Sequence, residues 1–113
     1  MHEVSIVEEI INTVEENCNL NNISNVSKII LSVGEFVYLD KKSVDFIFGL
    51  LKKDTLCKNA ILEIKESKAM AYCEECRENF KISFTEKNCP TCKTYSSNIV
   101  SGYETILEQI EGE

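Results

Sequence analysis

The sequence predicts an α+β fold: a small N-terminal domain of two helices on a three-stranded sheet, with an inserted four-cysteine zinc-ribbon module. Three observations lead to this prediction. Apolar residues recur at helical spacing in two segments, they alternate with polar residues in several others, and two Cys-x2-Cys pairs stand in the last third of the chain. We expect residues 1–67 and 98–113 to form the α+β domain and residues 68–97 to form the zinc-binding module.

The first predicted helix begins at a capping box formed by Ser5 and Glu8. The Ser5 side chain can accept a hydrogen bond from the backbone N–H of Glu8, whose carboxylate can reach back to Ser5. Frequent asparagines indicate that this helix fades between Asn17 and Asn22. Its apolar face repeats at helical spacing and lies opposite several glutamates; it consists of Ile6, Val7, Ile10, Ile11 and Val14.

A strand and a second helix follow. Apolar and polar residues alternate from Lys28 onward, which predicts a strand that ends at Gly34. Asp40 is then placed to cap a helix. Alternation from Ala60 to Glu66 predicts another strand. The apolar stripe of the second helix consists of Val44, Ile47, Phe48 and Leu51.

The cysteine pattern is C-x2-C-x12-C-x2-C, made by Cys73, Cys76, Cys89 and Cys92. Two residues between thiolates let one tight turn present both sulfurs to a single ion, and a second turn completes a tetrahedron that suits Zn2+. Four protein ligands leave no open coordination position, so we expect a structural site. Two disulfides are an alternative, although the doubled pair favours a metal. Iron held by the same thiolates is a second alternative, which the sequence does not separate from zinc.

Two further strand patterns accompany the cysteines. Phe80, Ile82 and Phe84 alternate with polar residues, which predicts a hairpin strand between the two cysteine pairs. Apolar residues return after residue 102, and we expect this last strand to rejoin the sheet of the first domain.

Composition excludes several classes of function. The 113 residues carry a net charge of −7 and no basic stripe, which argues against nucleic acid as a partner. No apolar run is long enough to cross a bilayer and the start does not resemble a signal peptide, so we expect a cytoplasmic protein with reduced thiols. We then expect Cys18 and Cys57 to be small hydrophobic residues or exposed residues without a role. A closed thiolate site offers no position for an activated water, and the chain lacks a phosphate-binding Gly-rich Lys motif, so we expect no enzyme activity.

The N-terminus carries a second candidate metal site. His2 is the only histidine of the chain. The terminal amine of Met1, the backbone nitrogen and imidazole of His2, and the amide nitrogen of Glu3 can close adjacent chelate rings around one ion. A tetragonal nitrogen set of this kind favours Ni(II) or Cu(II) over zinc. A lone histidine at a chain end is more often an idle residue on a frayed terminus, so spacing alone leaves this site open.

Four features together resemble the HypA/HybF family of nickel-incorporation proteins for [NiFe]-hydrogenase maturation, some of which also serve urease. They are Met1-His2-Glu3, Gly34-Glu35, the cysteine quartet, and Ser101-Gly102-Tyr103-Glu104. The resemblance implies a metallochaperone that binds Ni(II) through His2 and the Glu3 amide and contains a structural zinc. It also implies delivery toward a hydrogenase large subunit, with an accessory nickel-insertion GTPase as partner. We expect a monomer or weak homodimer that binds neither membrane nor nucleic acid.

The sequence departs from that family in two places. Zinc knuckles often carry glycine directly after each second cysteine, whereas this chain has Arg77 and Lys93 there. Some relatives have a further histidine before the last strand, where this chain has Asn98. The alternative function is a zinc-ribbon protein-interaction module without a nickel function; the charge of −7 and the presence of His2 favour the nickel chaperone.

Overall fold

The computed structural model describes residues 2–37 and 39–113, apart from the side chain of His2. The predicted nickel ligands Met1 and the His2 imidazole therefore lie outside the described residues. In chain order the elements are α1 (His2–Leu20), β1 (Val26–Gly34), α2 (Lys41–Leu51), β2 (Ile61–Ser67), β3 (Met70–Cys73), β4 (Glu78–Lys81), β5 (Ile99–Ser101) and β6 (Thr105–Gly112).

The chain divides into two compact units. The first, here called the helical unit, contains Met1–Leu31, Leu39–Lys65 and Leu107–Glu113. The second, here called the cysteine unit, contains Ser32–Tyr38 and Glu66–Ile106. No helix among the described residues has the length and apolar character needed to span a membrane.

Helix α1 is longer than predicted at both ends. It begins at His2, so the predicted start at the Ser5 capping box is wrong and Ser5 lies inside the helix. It also continues through Leu20 rather than fading from Asn17. Asn22 ends it by adopting a left-handed conformation with φ of 57°, and the N–H of Ile23 donates to the Cys18 carbonyl at 2.9 Å. This is the pattern of a Schellman C-cap, which asparagine tolerates better than most residues.

The apolar face of α1 is buried largely as the spacing predicts. Its fully or nearly buried residues are Val7, Ile10, Ile11, Val14 and Cys18. Ile6 is only half-buried, at the margin of this face. Because such burial stabilises a helix more than intrinsic propensity does, the apolar face accounts for α1 better than any cap.

Helix α2 confirms the predicted cap. The Asp40 side chain accepts a hydrogen bond from the backbone N–H of Lys42 at 3.1 Å and another from the Ser43 hydroxyl at 3.1 Å. Of the predicted apolar stripe, Val44 and Phe48 are buried. The other two members, Ile47 and Leu51, are half-buried and partly exposed, so the buried stripe is narrower than the sequence indicated.

The first sheet contains three strands in the order β2-β1-β6. The last strand of the chain therefore rejoins this sheet, as predicted, and its partner is β1. Strand β1 is buried along most of its length, and it contributes Val26, Ile29 and Leu31 to the core. Two helices, this sheet and the four clustered cysteines together confirm the predicted fold class.

The cysteine unit contains a second sheet in the order β4-β3-β5. Strand β4 lies between the two cysteine pairs, where a hairpin strand was predicted, but it ends at Lys81 and so includes Phe80 and neither Ile82 nor Phe84. It pairs antiparallel with β3, with Met70 opposite Lys81 and Cys73 opposite Glu78. Strands β3 and β5 were not predicted as separate strands. The core of this unit is small and includes two of the cysteines; it consists of Phe36, Ala69, Ala71, Cys73, Phe80, Ile82 and Cys89.

Two glycines let chain segments approach closely within this unit. The Gly34 N–H donates to the Glu104 carbonyl, and the Phe36 N–H donates to the Gly102 carbonyl, both at 2.7 Å. A Cβ on Gly34 would lie 2.3 Å from the carbonyl carbon of Gly102, a distance at which the backbone would have to shift. Gly102 has φ of +128°, a conformation that side chains other than hydrogen rarely allow. These contacts explain why both positions carry glycine.

Two carboxylates hold the same segments together. Glu35 accepts a hydrogen bond from the Ala69 N–H at 2.8 Å and pairs with the Lys81 ammonium at 2.8 Å. The Ala69 N–H and Lys81 lower the pKa of Glu35 below its usual range. Glu104 accepts from the Gly102 N–H at 2.6 Å, and hydrogen bonds from Ser67 and Gly102 lower its pKa as well.

We predict that Glu35→Gln destabilises the cysteine unit at neutral pH. The ionised carboxylate is the better partner for the Ala69 N–H and Lys81, so its depressed pKa contributes stability that is present above the unfolded value of about 4.3. That contribution is lost as the pH falls through the folded-state pKa. The difference in unfolding free energy between wild type and variant, measured by denaturant titration, should persist from pH 8 to 5 and shrink below about pH 4.

Glu63→Gln is the control for this prediction. Glu63 forms only an exposed ion pair with Lys28 at 3.2 Å, which contributes little in water. The unfolding free energy of each variant is compared with that of the wild type at the same pH. This comparison is needed because protonation of the thiolates releases the metal from all of these proteins at low pH. Equal stability of wild type and Glu35→Gln at pH 7 would contradict the assigned role of the carboxylate.

Candidate metal centre

The four cysteines of the predicted quartet lie together in the cysteine unit. Their Sγ atoms are all within 4.8 Å of one another. The Sγ atoms of Cys73 and Cys92 are 3.5 Å apart, and those of Cys76 and Cys89 are 3.8 Å apart. A tetrahedron of sulfurs around zinc, with Zn–S bonds of about 2.3 Å, has edges of about 3.8 Å. The arrangement therefore fits one four-coordinate ion, and all four cysteines are free thiols rather than disulfides.

Each Cys-x2-Cys pair forms a similar turn. The backbone N–H of Cys76 donates to Cys73 Sγ at 3.4 Å. In the second pair, hydrogen bonds from the backbone of Cys92 and Thr91 lower the pKa of Cys89. Amide donors of this kind stabilise a thiolate, which is the form that binds metal.

The two residues that replace the usual glycines adopt the glycine conformation. Arg77 has φ of 56° and Lys93 has φ of 66°, both in the left-handed region. A residue with a Cβ is strained there by about 1–2 kcal/mol. Both side chains are exposed, and the Lys93 N–H donates to the Cys89 carbonyl at 2.8 Å. The turns thus keep their tight form without glycine, at a cost in backbone strain.

Without a metal, the four thiols differ in pKa. Hydrogen bonds from the side chain and backbone of Thr94 lower the pKa of Cys92 to about 6. Burial and the neighbouring thiols raise the pKa of Cys76 to about 12. A dication bound among the four sulfurs attracts their negative charge, and so it favours deprotonation even of the thiols whose pKa is raised. Metal binding therefore releases protons, and metal affinity should rise with pH.

Two contributors to the site were missed from the sequence. Thr94 supplies hydrogen bonds to Cys92, and Phe36 packs in the same core as Cys73 and Cys89 although it precedes them by more than thirty residues. Thr94 follows the second pair directly, so its proximity was readable from the sequence. The position of Phe36 depends on long-range pairing and carried no local signal.

The predicted nickel ligands are described only in part. Glu3 lies in the first turn of α1, whereas Met1 and the His2 side chain lie outside the described residues. The structure thus tests neither the nitrogen set at the N-terminus nor its metal, and this site stays a prediction.

The remaining cysteines behave as buried apolar residues. Cys18 and Cys57 are both fully buried in the helical unit. Burial raises the pKa of both thiols, that of Cys57 to about 11, so each is protonated at neutral pH. A protonated, inaccessible thiol is a poor metal ligand, which agrees with the role of small hydrophobic residues.

These features define a small α+β protein with a closed four-thiolate metal centre, and the comparisons with known proteins identify its family. The family model described as "Hydrogenase/urease nickel incorporation, metallochaperone, hypA" matches residues 1–112. The hydrogenase maturation factor HypA of Francisella philomiragia is 31% identical over 110 residues, which cover 97% of each chain. HypA of Dehalococcoides mccartyi is 32% identical over 111 residues, 98% of this chain and 93% of the relative.

Solved structures agree with the sequence comparisons. The Ni metallochaperone HypA from Helicobacter pylori has a solution structure that matches with a TM-score of 0.70 and 27% identity, over 97% of this chain and 96% of the other. A second HypA solution structure matches with a TM-score of 0.74 and 28% identity, over 100% and 97%. The chain therefore belongs to the HypA family of nickel metallochaperones for hydrogenase maturation.

We predict that Cys73→Ala loses the bound metal and unfolds the cysteine unit first. Structural zinc contributes about 10–16 kcal/mol to the folding of small zinc domains, so an incomplete ligand set removes most of what holds this unit. Metal content by mass spectrometry should fall from one ion per chain, and amide exchange should accelerate in β3 and β4 while α1 stays protected. The matched control is Cys57→Ala, which removes a buried thiol of the helical unit. Retention of one zinc per chain by Cys73→Ala would refute the assignment of the quartet.

We predict that Arg77→Gly and Lys93→Gly each stabilise the metal-loaded protein slightly. Glycine relieves the strain of the left-handed backbone but loses more entropy on folding, so a net gain of about 0.5–1 kcal/mol is expected. Denaturant titration of the zinc-loaded protein measures this gain. Glu78→Gly in strand β4 is the control and should destabilise, because its backbone is extended. Destabilisation by Arg77→Gly equal to that of Glu78→Gly would show that the turn does not store this strain.

Proposed function

We propose that this chain binds one Ni(II) ion at its N-terminus and delivers it for maturation of [NiFe]-hydrogenase. The observation that carries the proposal is the family match, which extends from residue 1 to residue 112 and so includes Met1-His2-Glu3. The proposed ligands are the terminal amine of Met1, the backbone nitrogen and imidazole of His2, and the amide nitrogen of Glu3. Four nitrogens in one plane suit Ni(II) better than zinc.

The charge of the first helix supports a cation at this end. Residues 1–20 contain five glutamates and neither lysine nor arginine. A surface of one sign raises the local concentration of ions of the opposite sign, and so speeds their capture. A chain end also permits release, since its ligands need not break a packed core to let the ion go. Capture and release are both required of a metal carrier.

The cysteine quartet has a different role in this proposal. Cys73, Cys76, Cys89 and Cys92 hold one Zn2+ that braces the fold and is not transferred. We assign nickel to the domain of residues 1–67 and 98–113, and zinc to residues 68–97. Because the quartet is closed, it supports no hydrolytic chemistry, and we propose that the chain is not an enzyme.

The remaining parts of the proposal concern cellular context. The chain works in the cytoplasm as a monomer or weak homodimer, with an accessory nickel-insertion GTPase and the hydrogenase large subunit as partners. Urease is a further candidate client, because the family description names it beside hydrogenase. The charge of −7 argues against nucleic acid.

Residues added before Met1 should weaken nickel binding by more than about tenfold, or about 1.4 kcal/mol. The extension converts the terminal amine into an ordinary amide and so removes one ligand, and His2→Ala should weaken binding at least as much. Isothermal titration with nickel measures both effects. Affinity for the native chain should rise with pH, because backbone amides must lose protons to bind. X-ray absorption of the nickel-loaded protein should report nitrogen rather than sulfur neighbours.

The matched control carries the same added residues after Glu113, which should leave nickel affinity unchanged. All variants should retain one zinc per chain and the helical signal of the native protein. Equal nickel affinity in the native and N-terminally extended chains would exclude the amine as a ligand. If His2→Ala also bound nickel like the native chain, the nickel ligands would lie elsewhere in the protein. If the native chain bound no nickel, a zinc-ribbon interaction module without nickel function would be the better description.

A further inference from the structure

Helix α2 presents an apolar ridge that no described residue covers. Phe46 is 69% exposed and Leu50 is 51% exposed. Residues four apart on a helix lie on the same face, so the two side chains adjoin. Two other exposed rings, Phe84 and Tyr103, contact the ring of Phe36, whereas neither Phe46 nor Tyr95, which is 64% exposed, contacts a ring among residues 2–37 and 39–113. The exposure of Phe46 is therefore not explained by packing within the chain.

Lysines lie at both ends of this ridge. Lys42 precedes Phe46 by one helical turn, and Lys53 lies in the turn two residues beyond the end of α2. In the part of the chain that the structure describes, neither ammonium group forms an ion pair. Residues 41–58 contain five lysines and two aspartates, hence a net charge of +3 in a chain of −7. This stretch of the sequence is therefore positive within an acidic chain.

Gly49 is a second and independent observation at the same place. A Cβ added there would meet no atom within 4 Å, so no contact within the chain requires a glycine. Glycine inside a helix costs about 1 kcal/mol relative to alanine. Gly49 follows Phe46 by three residues and therefore lies beside the exposed ring. A missing side chain at such a position allows another backbone to approach closely.

We propose that the α2 ridge, defined as Lys42, Phe46, Gly49, Leu50 and Lys53, docks an acidic amphipathic helix of a partner protein. The apolar side chains of the partner cover Phe46 and Leu50, its backbone passes over Gly49, and its carboxylates pair with the two lysines. An amphipathic helix binds a hydrophobic surface through apolar anchors that are spaced by about one turn. The proposal goes beyond nickel binding and does not rest on it.

Charge favours an acidic helix over two other possible occupants of the ridge, a second copy of this chain and an anionic membrane. In a two-fold contact between α2 helices of two copies, the lysines of one would face those of the other, and each copy carries −7. An anionic membrane would attract the ridge but repel the rest of the molecule. An acidic helix meets unneutralised lysines locally, and its capture should weaken as salt is added.

The test uses a fluorescent synthetic peptide of 18 residues that forms a helix with leucines on one face and glutamates on the other. A second peptide is identical except that lysines replace the glutamates. Fluorescence anisotropy with the full chain should detect binding of the acidic peptide and none of the basic one. Phe46→Ala should weaken binding by about tenfold or more. Lys42→Glu combined with Lys53→Glu should reverse the preference between peptides.

Ile61→Ala is the matched control for Phe46→Ala. Ile61 is also 69% exposed but lies on strand β2, away from the ridge in sequence and element. Its replacement should leave peptide binding unchanged.

Gly49→Leu separates docking from stability. Leucine is a better helix former than glycine and has open space here, so the melting temperature should rise. The added side chain should nevertheless reduce peptide binding by at least tenfold, because it blocks the close approach. A variant that is more stable yet binds less cannot be explained by unfolding.

Three results would overturn the proposal: binding of neither peptide, equal binding of both, or unchanged binding by Gly49→Leu. Attachment of the native chain to phosphatidylglycerol vesicles that is lost in Phe46→Ala would assign the ridge to membranes instead. Dimerisation in sedimentation experiments that is lost in the same variant would assign it to a second copy. Nickel titration of Gly49→Leu should match the native chain, so failure here and failure of the proposed nickel site are distinguishable.

Discussion

The cysteine unit depends on four thiolates that must share one cation. Its apolar core, apart from the cysteines, contains only Phe36, Ala69, Ala71, Phe80 and Ile82, two of which are alanines. Domains this small rarely bury enough surface to offset their conformational entropy without a metal or disulfides. Burial raises the pKa of Cys76 to about 12, so without a metal this thiol stays protonated. A bound dication favours the thiolate form instead, and it links the two Cys-x2-Cys turns through one ion.

The influence of this constraint extends beyond the cysteine pairs. Phe36, which follows β1, packs in the same core as Cys73 and Cys89. The backbone next to it is held by Gly102 and by the Glu35 carboxylate. The free energy of metal binding therefore stabilises a segment that lies far from the ligands in sequence. The same contacts give a physical reason for the Gly34-Glu35 and Ser101-Gly102-Tyr103-Glu104 motifs. The glycines allow the close backbone contacts, and the glutamates supply the carboxylates.

Local chemistry made much of the fold predictable. Aspartate is a favoured N-cap residue, and Asp40 stands directly before an apolar pattern with helical spacing. The doubled cysteine pair permits few arrangements other than one shared ion. The start of α1 was not predictable from Ser5 and Glu8, because the same two residues are also tolerated inside a helix. Only the backbone conformation of the residues before Ser5 tells whether the helix begins there or earlier. Short strands such as β5 depend on backbone pairing rather than on side-chain pattern. The left-handed backbone of Arg77 and Lys93 has no signal in residue type either, since the surrounding turn imposes it.

The two proposed metal sites differ in the property that matters for transfer, which is how much structure must open before the ion leaves. Cys73 and Cys89 are nearly inaccessible to solvent, and release of an ion from them would sacrifice the core that the ion holds together. A site made by the first residues of a chain carries no such penalty, because the helical unit has its own buried apolar residues from α1, β1 and α2. Ligand chemistry separates the ions further: thiolates select zinc, whereas an amine, amides and an imidazole favour Ni(II). A chain that keeps one metal and gives up another needs this inequality, and under our proposal the packed thiolate centre would keep zinc while the N-terminal residues would give up Ni(II).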